Sequence, residues 1–234
     1  MLGAVRVIAV DWSGARDPRR TLWLAEASGG DVVRVEAGRT REELVDHLLA
    51  EADREPELVV GLDFAFSLPG WFLTERGLSS ARELWDLVAR DGEEWLRAPR
   101  PPFWRDRGPA VRQPFRRTEL ECGGRPKSTF QLVGAGQVGT GSLRGMPSLS
   151  RLAAGGFSIW PFDDAQLPLA VEIYPRLFEA DFDDAASNEH ARDAAASALV
   201  LARHVEELLA LRHEPAYALE GKIWRPATRL DSNT

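Results

Sequence analysis

The sequence predicts one α/β domain built on a mixed β-sheet flanked by helices. Three observations predict it. Residues 5–10 and 58–64 are continuous, β-branched apolar runs that carry an acid at or near their ends, and they read as strands buried on both faces. Two shorter strands and an amphipathic helix lie between them, which gives the order β-β-β-α-β. A long Ala- and Leu-rich helix occupies residues 185–211.

Each element has its own signal. The run 5–10 is closed by Asp11-Trp12-Ser13-Gly14. Residues 21–27 and 31–37 flank Ser28-Gly29-Gly30, a hairpin turn. Residues 40–54 read as a helix, with Thr40 as N-cap, Glu43 at the third helical position, and Leu44, Leu48 and Leu49 at helical spacing. The second apolar run contains Asp63 and is followed by a turn at Ser67-Leu68-Pro69. Residues 79–96 read as a helix begun by Ser79 or Ser80. From 98 to 124 the chain is rich in Pro, Arg and Gly, with Phe103, Trp104 and Phe115, so an insertion over 98–147 is expected within a single domain spanning 1–230. A short strand over 169–173 contains Glu172, and the long helix carries Asp193. A short apolar piece at 216–224 precedes a polar tail.

The chain has 234 residues, 44% hydrophobic and 28% charged, which is enough to bury a core without covalent staples. Cys122 is its one cysteine, so no disulfide closes within the chain. The N-terminal apolar run is cut short by Asp11 and has no cleavage signal, and no apolar stretch reaches the length of a membrane span. A cytoplasmic protein without a membrane partner is expected. The net charge of −7 argues against a generic nucleic-acid coat. The charge is uneven, however: residues 97–127 carry +6 and the remainder −13.

Four carboxylates stand where apolar residues would be expected. Asp11 ends the first buried strand, Asp63 sits in Val-Val-Gly-Leu-Asp-Phe-Ala-Phe, and Glu172 sits in Leu-Ala-Val-Glu-Ile-Tyr. A buried, unpaired carboxylate costs several kcal/mol, so each needs a partner. A shared Mg²⁺ or Mn²⁺ would serve a cluster of them, since such ions take hard oxygen ligands and complete the shell with substrate phosphates. Adjacent parallel strands ending at one edge would bring the acids together. Asp193 joins as a fourth candidate because Ala194, Ala195 and Ala198 beside it allow close helix packing, with Glu189 and His190 one turn earlier. For any single acid the competing reading is a cap or a salt bridge. His190 reads as a surface or supporting residue, and Asp181, Asp183 and Asp184 as a solvated loop.

The pieces VIAVDWSGA, VVGLDFAFSLP, KSTFQLVGAGQVGTGSLRGMPSL, VEIYPR and EHARDAAASALVLA, in this order, resemble the domain of unknown function 429 family, a group of predicted nucleases with a ribonuclease H-like fold. They run from near residue 5 to about residue 205, most of the chain. The resemblance implies a ribonuclease H-like mixed sheet flanked by helices. It matches Asp11 to a first-strand acid, Asp63 to a fourth-strand acid, Glu172 to a later-strand acid and Asp193 to an acid of the last helix.

The glycine-rich segment GAGQVGTG has a G-x-G-x-x-G spacing at Gly134, Gly136 and Gly139, but Thr140-Gly141-Ser142 makes poor helix and no Walker lysine follows. A backbone phosphate cradle and a plain tight loop both remain open. In the basic segment, arginines interleaved with aromatic residues suit a nucleic-acid strand or a nucleotide. They equally suit pairing with acids of the same chain or of a partner subunit. Arg116, Arg117, Lys127, Ser128 and Gln131 are the candidate substrate contacts. Three functions are compatible with these residues: a metal-dependent phosphodiesterase acting as a nuclease on DNA or RNA, with Asp11, Asp63, Glu172 and Asp193 as metal ligands; a nucleotide-binding phosphotransferase or ATPase of actin-like fold; and a non-catalytic binding module in which the acids are structural.

Overall fold

Six strands form one mixed sheet with helices on both faces. The computed structural model describes residues 5–105, 111, 113–123, 127–133, 138–178 and 188–227. The strands are β1 (Arg6–Asp11), β2 (Trp23–Ser28), β3 (Asp31–Glu36), β4 (Leu58–Leu62), β5 (Ser158–Ile159) and β6 (Leu169–Glu172), in the sheet order β3-β2-β1-β4-β6-β5. β1, β2 and β3 are antiparallel neighbours, whereas β1 and β4, β4 and β6, and β5 and β6 pair in parallel. The hairpin between β2 and β3 turns at Gly29 and Gly30, both at positive φ, which glycine adopts without steric cost.

Strand alternation sorts the core into two layers. Ile8, Val10, Val60 and Leu62 face one side, where they meet Leu44 and Leu48 of α1 (Arg41–Arg54), Leu84 and Trp85 of α3 (Ala81–Arg97), and Met146 and Leu149 of α5 (Val138–Ala154). Val7, Ala9, Val59, Leu169 and Val171 face the other side, against Ala194, Ala195, Ala198 and Leu201 of α6 (Glu189–Arg203). Thr40 caps α1 and Glu43 reaches back to it, the expected capping box. Ser80, one of the two serines predicted, caps α3. Short helices α2 (Gly70–Glu75), α4 (Arg117–Glu121) and α7 (Val205–Leu209) complete the described elements. The long C-terminal helix is broken at His204 into α6 and α7.

α5 corrects the sequence reading. Thr140-Gly141-Ser142 lies inside a 17-residue helix that also contains Pro147. By intrinsic propensity three glycines and a proline disfavour it, but its neighbours admit nothing larger. A Cβ on Gly139 would lie 2.5 Å from Thr129 O, one on Gly145 would lie 2.6 Å from the Phe64 ring, and Gly14 abuts the backbone of Gly141. Close packing, worth more than propensity, decides the element. Of the glycine spacing, Gly134 and Gly136 lie outside the described residues, as do Arg107, Arg112, Arg125, Asp181, Asp183, Asp184 and residues 185–187. Among the described residues no helix is long and apolar enough to cross a membrane.

Candidate active site

Asp11 and Asp63 meet at the carboxyl end of the central parallel pair. Val10 and Leu62 are partners in the β1–β4 register, and Asp63 N donates to Val10 O at 3.1 Å, so the two acids stand side by side just past it. The alternation that turns Val7, Ala9 and Val59 towards α6 turns Asp11 and Asp63 the same way. Gly61 fixes how near α6 can come: a Cβ there would lie 2.5 Å from Leu201 Cδ1 and 3.0 Å from Ile173 Cδ1. With the alanines of α6 this gives a close helix–sheet contact, and the first turns of α6 bring His190 and Asp193 to the acid pair. His190 Nδ1 and Asp11 Oδ2 share a hydrogen bond of 2.6 Å.

The electrostatics are those of crowded, desolvated carboxylates. Asp11 is only 7% exposed. Burial first, and then the like charge of Asp193, push its carboxyl up to about 8, while a hydrogen bond from Asp63 acts in the opposite direction. Asp63 is pushed well above its ordinary value by burial, then by Asp11, Asp193 and Glu172. Asp63 keeps part of its surface open, yet protein packs densely around its carboxyl. Asp193 is partly open at the mouth and is raised by burial and by Glu189, against the opposing charges of Arg192, His190 and Arg176. Both carboxyl groups of the Asp11–Asp63 pair are therefore shifted towards the protonated form, by burial first and then by the proximity of further carboxylates.

Glu172 belongs elsewhere, which corrects the expectation that it joins the other three acids on one ion. In β6, Leu169 and Val171 face α6, so Glu172 projects to the opposite face. There, 2% exposed, it accepts from Arg116 Nη2 at 2.5 Å, from Arg116 Nη1 at 2.9 Å and from Phe66 N at 2.8 Å. Both oxygens are occupied by a bidentate arginine. Its charge still reaches Asp63 through the protein, as noted above, without making it a ligand beside Asp63.

Arg116 is corrected with it. It is 1% exposed, and its remaining donors go to Glu119 Oε1 and Glu220 O. Burial opposes its charge, but Glu119 and Glu172 outweigh that and raise it further. A buried guanidinium with all its faces engaged holds the insertion to the sheet and cannot receive a substrate phosphate. Of the other expected contacts, Ser128 is buried and donates to Pro114 O at 2.5 Å while accepting from Phe130 N. Gln131 Nε2 donates to Val133 O. These two side chains shape their own loop. Arg117 is exposed, pairs with Glu121 and lies over the Tyr217 ring. Lys127 is half-buried. Cys122 is half-buried, and burial pushes its thiol up, which disfavours the nucleophilic thiolate.

Sequence reasoning singled out neither Tyr174 nor Arg176 for the site. Tyr174 is half-buried and raised by burial, with the Asp63 charge adding to the shift, and exposed Arg176 acts on both Tyr174 and Asp193. Both follow Glu172 in Glu-Ile-Tyr-Pro-Arg, a cluster that marks a strand leaving the sheet at its carboxyl edge.

Among the described residues, no three His, Cys, Asp or Glu side chains are grouped so as to hold a metal ion by themselves. The donor set is instead a carboxylate pair with a third acid at its mouth. That fits Mg²⁺ or Mn²⁺, which commonly take one or two protein carboxylates and leave other positions to water and phosphate oxygens. It does not fit an all-protein cage. No family model, curated protein or solved structure matches the chain.

Proposed function

We propose that this chain is a divalent-cation-dependent phosphodiesterase of ribonuclease H-like fold, acting as a nuclease on DNA or RNA. The observation that carries the proposal is the Asp11–Asp63 pair: two carboxyl groups on adjacent parallel strands, desolvated, in contact, and raised further by Asp193. Like charges placed together in a low-dielectric niche cost stability, and functional sites are where such costs persist. The resemblance to the domain of unknown function 429 family points the same way.

Asp11 and Asp63 would hold Mg²⁺ or Mn²⁺, and Asp193 would add its charge at the mouth. The bound ion supplies Lewis acidity, which lowers the pKa of a coordinated water and offsets charge on phosphorus oxygens. The chain's own groups do the rest. His190, through Nδ1, fixes the orientation of the Asp11 carboxylate. The Val10–Asp63 backbone hydrogen bond sets the spacing of the two acids. Arg176, exposed near Asp193, stands where a phosphate oxygen would find a positive charge.

The test is divalent-dependent cleavage of single-stranded, duplex and branched nucleic acids, together with calorimetric titration of Mg²⁺ and Mn²⁺. Cleavage and cation binding that are both lost in Asp11→Asn are expected. A wild-type protein that binds neither ion and cuts no substrate would overturn the proposal and leave the acids as structural groups.

A further inference from the structure

We infer that a second site, the cleft between α1, α3 and α5, binds phosphate groups. The cleft has a volume of about 220 Å³, and its polar lining is Arg41, Glu42, Glu93, Arg144, Ser148 and Arg151. It lies on the face of the sheet opposite α6 and uses neither Asp11 nor Asp63, so it stands apart from the phosphodiesterase proposal.

Its arginines are unequally paired. Arg144 is matched by Glu93, with Nε and Nη2 donating to the two carboxylate oxygens at 2.7 and 3.1 Å. Arg151 donates to Asp46 at 2.6 Å. Arg41 has no carboxylate within ion-pair distance among the described residues. Its Nε donates to Ser13 O at 3.0 Å and its Nη2 donates to Ala15 O, while Arg144 Nη1 donates to Gly14 O at 2.6 Å. Two guanidiniums are thus anchored on three consecutive carbonyls and held beside each other. Burial, and then the charge of Arg144, depress Arg41. Glu93 is held low by the hydrogen bonds and charge of Arg144 and by the charges of Arg41 and Arg16, and Glu42 and Glu93 both act on Arg41 from a distance.

Clamping the loop after β1 accounts for the carbonyl contacts alone. It does not account for gathering a third arginine, Arg151, on the same cleft, nor for leaving Arg41 there without a carboxylate at ion-pair distance. Planar guanidinium donors, partly desolvated and held in place, suit the oxygens of a phosphate group. Either a nucleic-acid backbone or a free phosphate supplies that chemistry.

The experiment is calorimetry on the metal-free protein at low salt, with inorganic phosphate, pyrophosphate and a single-stranded oligothymidylate as separate probes. Glu93→Gln removes the competing carboxylate and should tighten binding by about threefold, and Arg151→Gln should weaken it by about threefold. Neither side chain touches the loop after β1, and damage to the fold would not tighten binding. Asp11→Asn should leave these affinities unchanged, so failure here and failure of the phosphodiesterase proposal are read separately. Binding of the two small anions alone assigns a free phosphate, and binding of the oligonucleotide assigns a backbone phosphate; either supports the site. No binding of any probe, or affinities indifferent to both substitutions, overturns it.

Discussion

Replacing Asp11 by Asn should make the metal-free protein more stable at pH 8, and it should abolish stabilisation by Mg²⁺. The sign follows from linkage. The folded-state value, about 8, lies above the ordinary 3.8, so between those pH values the folded chain binds a proton that the unfolded chain has lost. Stability associated with Asp11 is therefore full below about pH 4 and declines as the pH rises to about 8. The gap of roughly four units, at 1.36 kcal/mol each, sets a ceiling of about 5 kcal/mol. Asn at position 11 recovers only part of it, because Asp63 remains buried beside Asp193; about 2–3 kcal/mol is expected, or about 4–12 °C in Tm for a chain of this size. Thermal unfolding at pH 6 and pH 8, with and without millimolar MgCl₂, is the assay. Wild type should lose stability between the two pH values without Mg²⁺ and regain it with Mg²⁺, more at pH 8, because cation binding displaces the proton. A variant less stable than wild type at pH 8, or still stabilised by Mg²⁺, would refute this account of the acid pair.

Other substitutions separate the site from its frame. Arg116→Met leaves Glu172 buried without its partner and should lower stability by about 3–5 kcal/mol in urea denaturation. Gly61→Ala places a methyl 2.5 Å from Leu201 Cδ1; overpacking of this kind costs about 1–3 kcal/mol, and by pushing α6 away it should also weaken Mg²⁺ binding in calorimetry. Gly145→Ala, forced against the Phe64 ring, should cost a similar amount while leaving cation affinity largely intact. His190→Ala, which frees the Asp11 carboxylate from its hydrogen bond, should reduce Mg²⁺ affinity by about tenfold, measured by the same titration.

Five of the six strands and the first helix were legible because their signals are local, whereas the two-residue β5 carried no signal of its own. Thr40 and Glu43 cap α1 as their spacing demands, and the two glycines after Ser28 turn the hairpin. What could not be read was the face each acid takes. A strand apolar on both faces has no alternation to break, so Val-Val-Gly-Leu-Asp and Leu-Ala-Val-Glu look alike. Only the pairing of Leu62 with Glu172 in the register shows that Asp63 and Glu172 fall on opposite sides. Arg116 misled for a related reason: a basic segment announces positive charge but not its partner, and this arginine is consumed by Glu119 and Glu172. α5 stayed hidden because its glycines, poor for a free helix, are what let it lie against Phe64 and Gly14.

The contrast between Glu172 and Asp11 carries the functional argument further than either does alone. They stand at the same end of one sheet, on neighbouring parts of it, and both are nearly inaccessible. At Glu172 the fold supplies a bidentate arginine and a backbone N–H, the arrangement that a purely structural buried carboxylate requires. At Asp11 and Asp63 no arginine or lysine lies within ion-pair distance among the described residues. The nearest additions are a histidine nitrogen and a third carboxylate. Neutralising one buried acid so completely, while gathering like charges around two others at the same end of the sheet, is the pattern that the proposed cation site would require.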